Sequence, residues 1–177
     1  RRELNLQTGI ASTEFSYKNV SYKREHFVSS PDQVMVTNLS ASEKGKLNFS
    51  AKMELNNDNL ERKLTFDVRN QTCTIEGKVK DNDLKFRTTM KLLLTGGEIT
   101  ADEKNQVYRI KNADQVTIIM AAETDYKNDY TTYRDKEKNL SNVIDTRIND
   151  SSKKSYDELK QTHIEDHQSL FDRVSLD

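Results

Sequence analysis

The 177-residue chain is long enough for one domain with a buried core, or for one domain and a connector. Hydrophobic residues make up 33% of it and charged residues 32%, so the surface is heavily solvated and the core depends on well-patterned elements. A net charge of -1 gives no long-range attraction for nucleic acid or an anionic membrane, and without any run of about 18 apolar residues we expect no membrane span.

The first part of the chain predicts a β-hairpin over residues 13–28. Aromatic residues at positions 15 and 17 alternate with polar ones, and the alternation resumes from Val20 after a turn at Lys18-Asn19. The only proline, Pro31, then breaks the chain. Gln33–Leu39 follows with apolar residues in both phases, which is typical of a strand that is buried on both faces.

Three further runs alternate between apolar and polar residues and predict strands at Leu47–Leu55, Leu64–Val68 and Cys73–Val79. Cys73 is the only cysteine, which excludes an internal disulfide and a cysteine-based zinc site. Because it lies in phase with Ile75, we predict that it is a small buried hydrophobic side chain rather than a reactive thiol.

The longest alternating pattern lies at Lys85–Leu94. Basic residues and threonine fill most of the gaps between the apolar or neutral positions, so we expect a strand with one apolar face and one solvated face. We also expect the other strands to pack around it. The apolar or neutral positions are Leu84, Phe86, Thr88, Met90, Leu92 and Leu94.

Two short strands, Glu98–Ala101 and Val107–Ile110, follow this element. The pair Gly96-Gly97 before them is typical of a tight hairpin turn. Val116–Ala122 is apolar in both phases, so we expect it to be central in a sheet.

After residue 124 the spacing of the apolar residues no longer has the two-residue period of a strand. Residues 125–135 are polar and predict a loop, and the apolar positions from Leu140 to Ile148 have the spacing of a helical stripe. Ser155 and Glu158 have the spacing of a capping box, which predicts the start of a second helix. The stripe of that helix carries Tyr156, Leu159, His163, Leu170 and Phe171.

Many short strands followed by helices predict a mainly β fold, namely an antiparallel β-sandwich followed by a C-terminal α-helical linker. We assign residues 1–124 to the sandwich and residues 125–177 to the loop and linker.

The loop contains Tyr126, Tyr130 and Tyr133, which we take as candidate carbohydrate-facing residues because tyrosine rings can stack on sugars. The alternative is that these rings pack in the linker or in a seam between domains. His163 and His167 are four positions apart, which is a metal-ligand spacing, but no motif supplies a third ligand. The alternative is one histidine packed at a helix interface and the other solvated, and we predict no metal site.

No catalytic motif is recognisable. Residues 81–83 resemble the start of a calcium loop but lack its later glycine and glutamate, so we interpret them as a turn. The 29 acidic residues are scattered, so no pair of carboxylates for glycoside chemistry can be chosen. We predict no catalytic residue in this chain and no cofactor.

An ordered set of segments resembles the N-terminal domain of glycoside hydrolase family 95, the α-L-fucosidase family, almost from end to end. These segments are Arg1-Arg2-Glu3-Leu4, Val20-Ser21-Tyr22-Lys23-Arg24-Glu25-His26-Phe27, Ser30-Pro31-Asp32-Gln33-Val34, Gly96-Gly97, Ala113-Asp114-Gln115-Val116-Thr117, Ala122-Glu123-Thr124-Asp125-Tyr126 and His163-Ile164-Glu165-Asp166-His167-Gln168-Ser169-Leu170-Phe171-Asp172-Arg173-Val174.

The resemblance implies a supersandwich-like domain whose first strands lie upstream of Arg1, then a helical linker and an (α/α)6 barrel that carries the catalytic acid and base. The parent would be an inverting exo-glycosidase for terminal L-fucose, and this chain would scaffold the barrel without catalysing the reaction. Secretion or a cell-surface location would suit the parent, but the compartment stays open.

The missing strands would leave sheet edges and an apolar face exposed, so we expect the isolated chain to self-associate or to close into a smaller sandwich. Two other functions stay open at this stage. One is a carbohydrate-binding or surface interaction module, and the other is a self-contained enzyme.

Overall fold

The computed structural model describes residues 1–173, and residues 174–177, the end of the predicted linker, lie outside the described residues. The strands are β1 (Arg2–Asn5), β2 (Ile10–Tyr17), β3 (Val20–Ser29), β4 (Val34–Ala41), β5 (Leu47–Ala51), β6 (Leu60–Asp67), β7 (Thr72–Val79), β8 (Lys85–Thr95), β9 (Glu98–Asp102), β10 (Val107–Ala113) and β11 (Gln115–Thr124). The helices are α1 (Leu140–Ser151) and α2 (Tyr156–Phe171).

The strands form two antiparallel sheets of very different size. The large sheet has the order β1-β2-β3-β4-β11-β8-β7-β6, and the small sheet has the order β5-β10-β9. The fold is therefore mostly β and sandwich-like with two C-terminal helices, as the alternating patterns predict. Val116–Ala122 lies between β4 and β8, which confirms its central position.

The core between the two sheets forms because alternate side chains of the large sheet point toward the small one. Leu92, Tyr108, Ile110 and Val116 are essentially inaccessible to solvent there. Cys73 lies in the same core, as predicted, and burial raises the pKa of its thiol.

A second core lies on the opposite face of the large sheet, under the two helices. Phe27 and Val36 of the sheet pack there with Ile144 of α1 and Leu159 of α2. Helix α2 begins with the predicted capping box, in which Ser155 and Glu158 each bond the other's backbone N–H. The helices therefore form a third layer on the sandwich.

This third layer corrects the prediction of a solvated face on β8. Thr89 is only 4% exposed, and Leu93 packs against the core under the helices. The Arg87 guanidinium reaches Asp145 of α1 at 3.3 Å. The pattern of basic residues and threonine gave no sign of this cover because the covering helix is distant in sequence.

The prediction of a hairpin at Gly96-Gly97 is also wrong. Both glycines have positive φ (66° and 68°), but they connect β8 of the large sheet to β9 of the small one. The two-residue signal correctly indicated a sharp change of direction. It did not indicate that the second strand joins the other sheet.

Two element boundaries also differ from prediction. Strand β5 ends at Ala51 rather than Leu55, and at the end of α2 the side chains of Leu170 and Phe171 are 58% and 41% exposed rather than packed. The turn at Lys18-Asn19 is confirmed, with φ of 49° and 64°. Within residues 1–173, no helix has both the length and the apolar character needed to cross a membrane.

Candidate functional site

The loop after β11 is held at its base by a buried ion pair. Asp125 is 2% exposed, and its Oδ2 accepts hydrogen bonds from Arg134 Nε at 3.0 Å and Nη2 at 2.6 Å. Its Oδ1 accepts from the backbone N–H of Lys85 at 2.8 Å. The carboxylate therefore joins both ends of the loop to the start of β8.

Backbone hydrogen bonds add to this closure. The N–H of Asp135 donates to the carbonyl of Asp125 at 2.7 Å, and the N–H of Lys127 donates to the carbonyl of Tyr133 at 3.2 Å. Tyr126 and Arg134 form an isolated antiparallel bridge. The segment is thus a closed loop that presents its tip in a defined shape.

The three predicted tyrosines lie on this closed loop and are exposed. Tyr126 is 53% exposed, Tyr130 84% and Tyr133 45%. The rings of Tyr130 and Tyr133 meet edge to face, with their centroids 6.3 Å apart. This geometry leaves ring surface free for contact with a sugar or a neighbouring domain.

A second surface feature, the inter-sheet cleft, was not predicted. It has a volume of about 760 Å³ and lies between β5 and the face of β2 and β3 that points toward the small sheet. Phe15 and Tyr22 stack on its floor with centroids 5.1 Å apart, and the Arg24 guanidinium lies over the Phe15 ring at 5.6 Å. Lys46 and Lys52 lie at the two ends of its β5 wall.

The sequence carried a partial signal for this cleft. Phe15 and Tyr17 alternate along β2 and therefore share a face. Which sheet face stays uncovered depends on strand order, and local alternation does not encode strand order.

The two histidines of α2 lie close together beneath the N-terminal strands. His163 is 6% exposed and stacks on Phe27 with centroids 4.7 Å apart, so it packs at the helix–sheet interface. His167 places Nε2 2.8 Å from the carbonyl oxygen of Leu6. Within residues 1–173, no three His, Cys, Asp or Glu side chains come together as a metal would require.

Comparison with known proteins places the chain in a family. Residues 1–129 match the family described as glycosyl hydrolase family 65, N-terminal domain. The chain belongs to this family of N-terminal domains. It is therefore a β-rich N-terminal domain of the glycoside hydrolase type.

Two curated relatives of this glycoside hydrolase N-terminal domain are named as fucosidases. The chain is 25% identical over 194 residues to "Alpha-L-fucosidase 2" of Arabidopsis thaliana and 27% identical over 190 residues to "Probable alpha-fucosidase A" of Aspergillus niger. Each alignment covers 99% of this chain but only 23% of the relative. The chain thus spans about a quarter of the length of these relatives.

A solved structure named "Putative kojibiose phosphorylase from human microbiome" has the same fold. It superposes with a TM-score of 0.66 over 96% of this chain and 24% of its own, at 10% sequence identity. At that identity the likeness concerns the fold alone.

Two carboxylates with lowered pKa values, Glu25 and Glu123, form contacts between elements. Burial raises the pKa of Glu25, but hydrogen bonds from Lys160, Tyr156 and Lys23 outweigh it, so the net pKa is lowered. For Glu123, burial is likewise outweighed, by a bond from its neighbouring backbone N–H and by nearby cations. These carboxylates tie the helical layer and the loop to the sheet.

Proposed function

We propose that this chain is the non-catalytic N-terminal β-sandwich domain of a larger α-L-fucosidase-like glycoside hydrolase and that it scaffolds the catalytic (α/α)6 barrel. One observation carries the proposal: two curated fucosidases align with 99% of the chain while the chain spans only 23% of each. This supports the fucosidase branch and the resemblance to family 95. The matching family model is described as the N-terminal domain of family 65, so it would equally fit a parent enzyme of family 65.

The alignment with the fucosidases also extends beyond the family match at residues 1–129 and includes both helices. In this proposal, residues 125–177 link the sandwich to the barrel. Helices α1 and α2 are packed on the large sheet through Ile144 and Leu159, so the linker has a fixed direction relative to the sandwich. A scaffold needs such rigidity to hold a second domain in place.

The direct test compares the full product of the parent gene with the same protein lacking residues 1–177 and with the 177-residue chain alone. The substrate is an aryl α-L-fucoside, and kojibiose with phosphate is the comparison substrate. We expect fucoside hydrolysis by the full protein, with inversion at the anomeric carbon, and loss of soluble, active enzyme on deletion. Fucoside hydrolysis by the chain alone would contradict the scaffold role, and phosphorolysis of kojibiose would favour family 65.

A second candidate function is a carbohydrate-binding module, and the exposed rings of Tyr126 and Tyr130 favour it. The test is binding of the isolated chain to fucosylated oligosaccharides by calorimetry. Loss of binding in Tyr126→Ala or Tyr130→Ala would support this function. The control is Tyr17→Ala, because Tyr17 is 61% exposed but lies at the inter-sheet cleft rather than on the loop.

A further inference from the structure

Helix α2 carries one apolar stripe that is buried in the first half of the helix and exposed at its end. Leu159 is 0% exposed in the core under the helices, and His163, at 6%, stacks on Phe27 of β3. Leu170 lies on the same stripe about two helical turns after His163, yet it is 58% exposed, and Phe171 beside it is 41% exposed. The sheet therefore covers the beginning of the stripe but not its end.

The connection between β1 and β2 lies beside the exposed end of α2 and is fixed there by two hydrogen bonds. His167 Nε2 donates to the carbonyl oxygen of Leu6 at 2.8 Å, and Gln7 Nε2 donates to Asp172 Oδ1 at 2.6 Å. The ring of Phe171 stacks on that of His167, with their centroids 5.3 Å apart. The backbone of Leu6 and the ring of Phe171 thus contact the same histidine, while the Leu6 residue remains 64% exposed.

Three exposed apolar residues, Leu6, Leu170 and Phe171, form what we call the α2-end patch. They surround His167, because Leu6 bonds to it and the other two residues are its neighbours three and four positions along the helix. The patch is preorganised, since the connection that carries Leu6 is bonded to the helix. It also continues a stripe whose first half is already buried, so a surface that covered it would extend an existing apolar interface.

The comparisons favour one occupant for this patch, namely the polypeptide that follows α2. The matching family is described as an N-terminal domain, which places the rest of such proteins on the C-terminal side. Most of each fucosidase lies outside the aligned part, which is 23% of its length and includes α2. A segment that continues from α2 begins close to the patch, at an effective concentration on the order of 1 mM, whereas a separate partner must reach it by diffusion.

We propose that the catalytic domain that follows this chain docks an apolar surface on the α2-end patch. Helix α2 is then shared between two cores: its first half packs on the large sheet, and its end packs on the following domain. One rigid helix that contacts both domains fixes their relative orientation. The proposal rests on the proposed function in requiring a catalytic domain after α2, and it adds the surface through which the scaffold acts.

The test compares amide hydrogen exchange at residues 164–171 in the isolated chain and in the full product of the parent gene. We expect exchange there to be at least about ten-fold slower in the full protein, because an uncovered helix end opens locally and a covered one does not. Equal exchange in the two forms would overturn the proposal. So would slow exchange that appears in the isolated chain as it forms a dimer in light scattering, because the occupant would then be a second copy.

Two matched variants show whether the patch itself is responsible. Leu170 and Val28 are 58% and 67% exposed, but Val28 follows Phe27 of the helix-covered core and so lies on the opposite face of the large sheet. In the isolated chain, Leu170→Glu and Val28→Glu should each shift the Tm by less than about 2 °C. In the full protein, Leu170→Glu should return exchange at residues 164–171 to the rate of the isolated chain, and Leu170→Ala should do so in part. Slow exchange in Leu170→Glu, or an equal loss in Val28→Glu, would overturn the proposal.

The exchange measurements do not depend on the fucoside assay. If the full protein shows slow exchange at the end of α2 but no fucoside hydrolysis, the proposed activity fails and the docking surface stands. If it hydrolyses the fucoside but exchange is equal in the two forms, only the docking proposal fails.

Discussion

Lys160 Nζ lies 2.8 Å from Glu25 Oε1, so an ion pair joins α2 to β3 across 135 positions of the sequence. Tyr156 Oη donates to the other carboxylate oxygen at 2.8 Å. Burial raises the pKa of Glu25, but these two bonds and one from Lys23 outweigh it, and the net pKa lies below its ordinary value of 4.5. The carboxylate is therefore ionised when it holds the helix to the sheet.

This pair predicts a stability loss in acid. Because the folded-state pKa of Glu25 is lowered, its contribution is fully present above the unfolded pKa near 4.5 and is lost as pH falls through the lower folded value. Near neutral pH, Glu25→Gln should reduce the free energy of unfolding by about 1–3 kcal/mol. Urea unfolding as a function of pH should show this difference shrinking below pH 4.5. Glu14→Gln, at an exposed carboxylate of β2, is the control and should change little.

The Asp125–Arg134 pair predicts that the tyrosine loop opens when the arginine is removed. Arg134→Ala leaves a buried carboxylate without its cation, which should cost about 3 kcal/mol. Hydrogen exchange should accelerate between Tyr126 and Tyr133. Lys127→Ala is the matched control in the same loop, because Lys127 only pairs with Asp129 at the surface and its loss should cost under about 0.5 kcal/mol. An unchanged exchange rate in the arginine variant would show that backbone bonds alone close the loop.

Two leucines of α2 test whether the helix is anchored along its first half. Leu159 is inaccessible to solvent and Leu170 is 58% exposed. Leu159→Ala should reduce the free energy of unfolding by about 2–5 kcal/mol, because it leaves a cavity in the core under the helices. Leu170→Ala should change it by less than about 0.5 kcal/mol in the isolated chain. Equal losses, measured by chemical denaturation, would contradict the observed docking of the helix.

Two glycines with similar backbone angles allow the cost of backbone strain to be distinguished from the cost of a steric clash. Gly97 (φ 68°) and Gly45 (φ 71°) both lie in the left-handed region. An added Cβ at Gly97 would lie 2.4 Å from the carbonyl oxygen of Lys111, whereas at Gly45 the nearest atom would be 3.7 Å away. Gly45→Ala should cost about 1 kcal/mol from strain alone, and Gly97→Ala should cost clearly more. The Tm values of the two variants, measured by thermal unfolding, compare these costs. Equal losses of Tm would mean that the connection between β8 and β9 relaxes around the new methyl group.

Self-association of the isolated chain remains a prediction. The exposed side chains of Leu4, Phe15 and Val28 favour it. Light scattering over a range of concentrations measures the oligomeric state. A stable monomer at high concentration would show that the uncovered face alone does not hold two copies together.

The alternating patterns predicted most strands, but they predicted pairing less well. The strand predicted at Leu47–Leu55 lies in the small sheet and the strand at Lys85–Leu94 in the large sheet, a division that their alternating patterns did not indicate. Alternation shows which side chains share a face, because the side-chain period of a strand is two. It does not show which strand lies next to it, since a partner can come from any distance along the chain.

The sequence by itself determined the local features: the turn at Lys18-Asn19, the capping box at Ser155 and the burial of Cys73. Each depends on residues only a few positions apart or on simple alternation. Tertiary structure alone decided that helices cover the Thr89 face of β8, that Gly96-Gly97 connects two sheets, and that one face of β2 and β3 stays open. These outcomes depend on contacts between residues far apart in sequence, and such contacts form only when the whole chain packs.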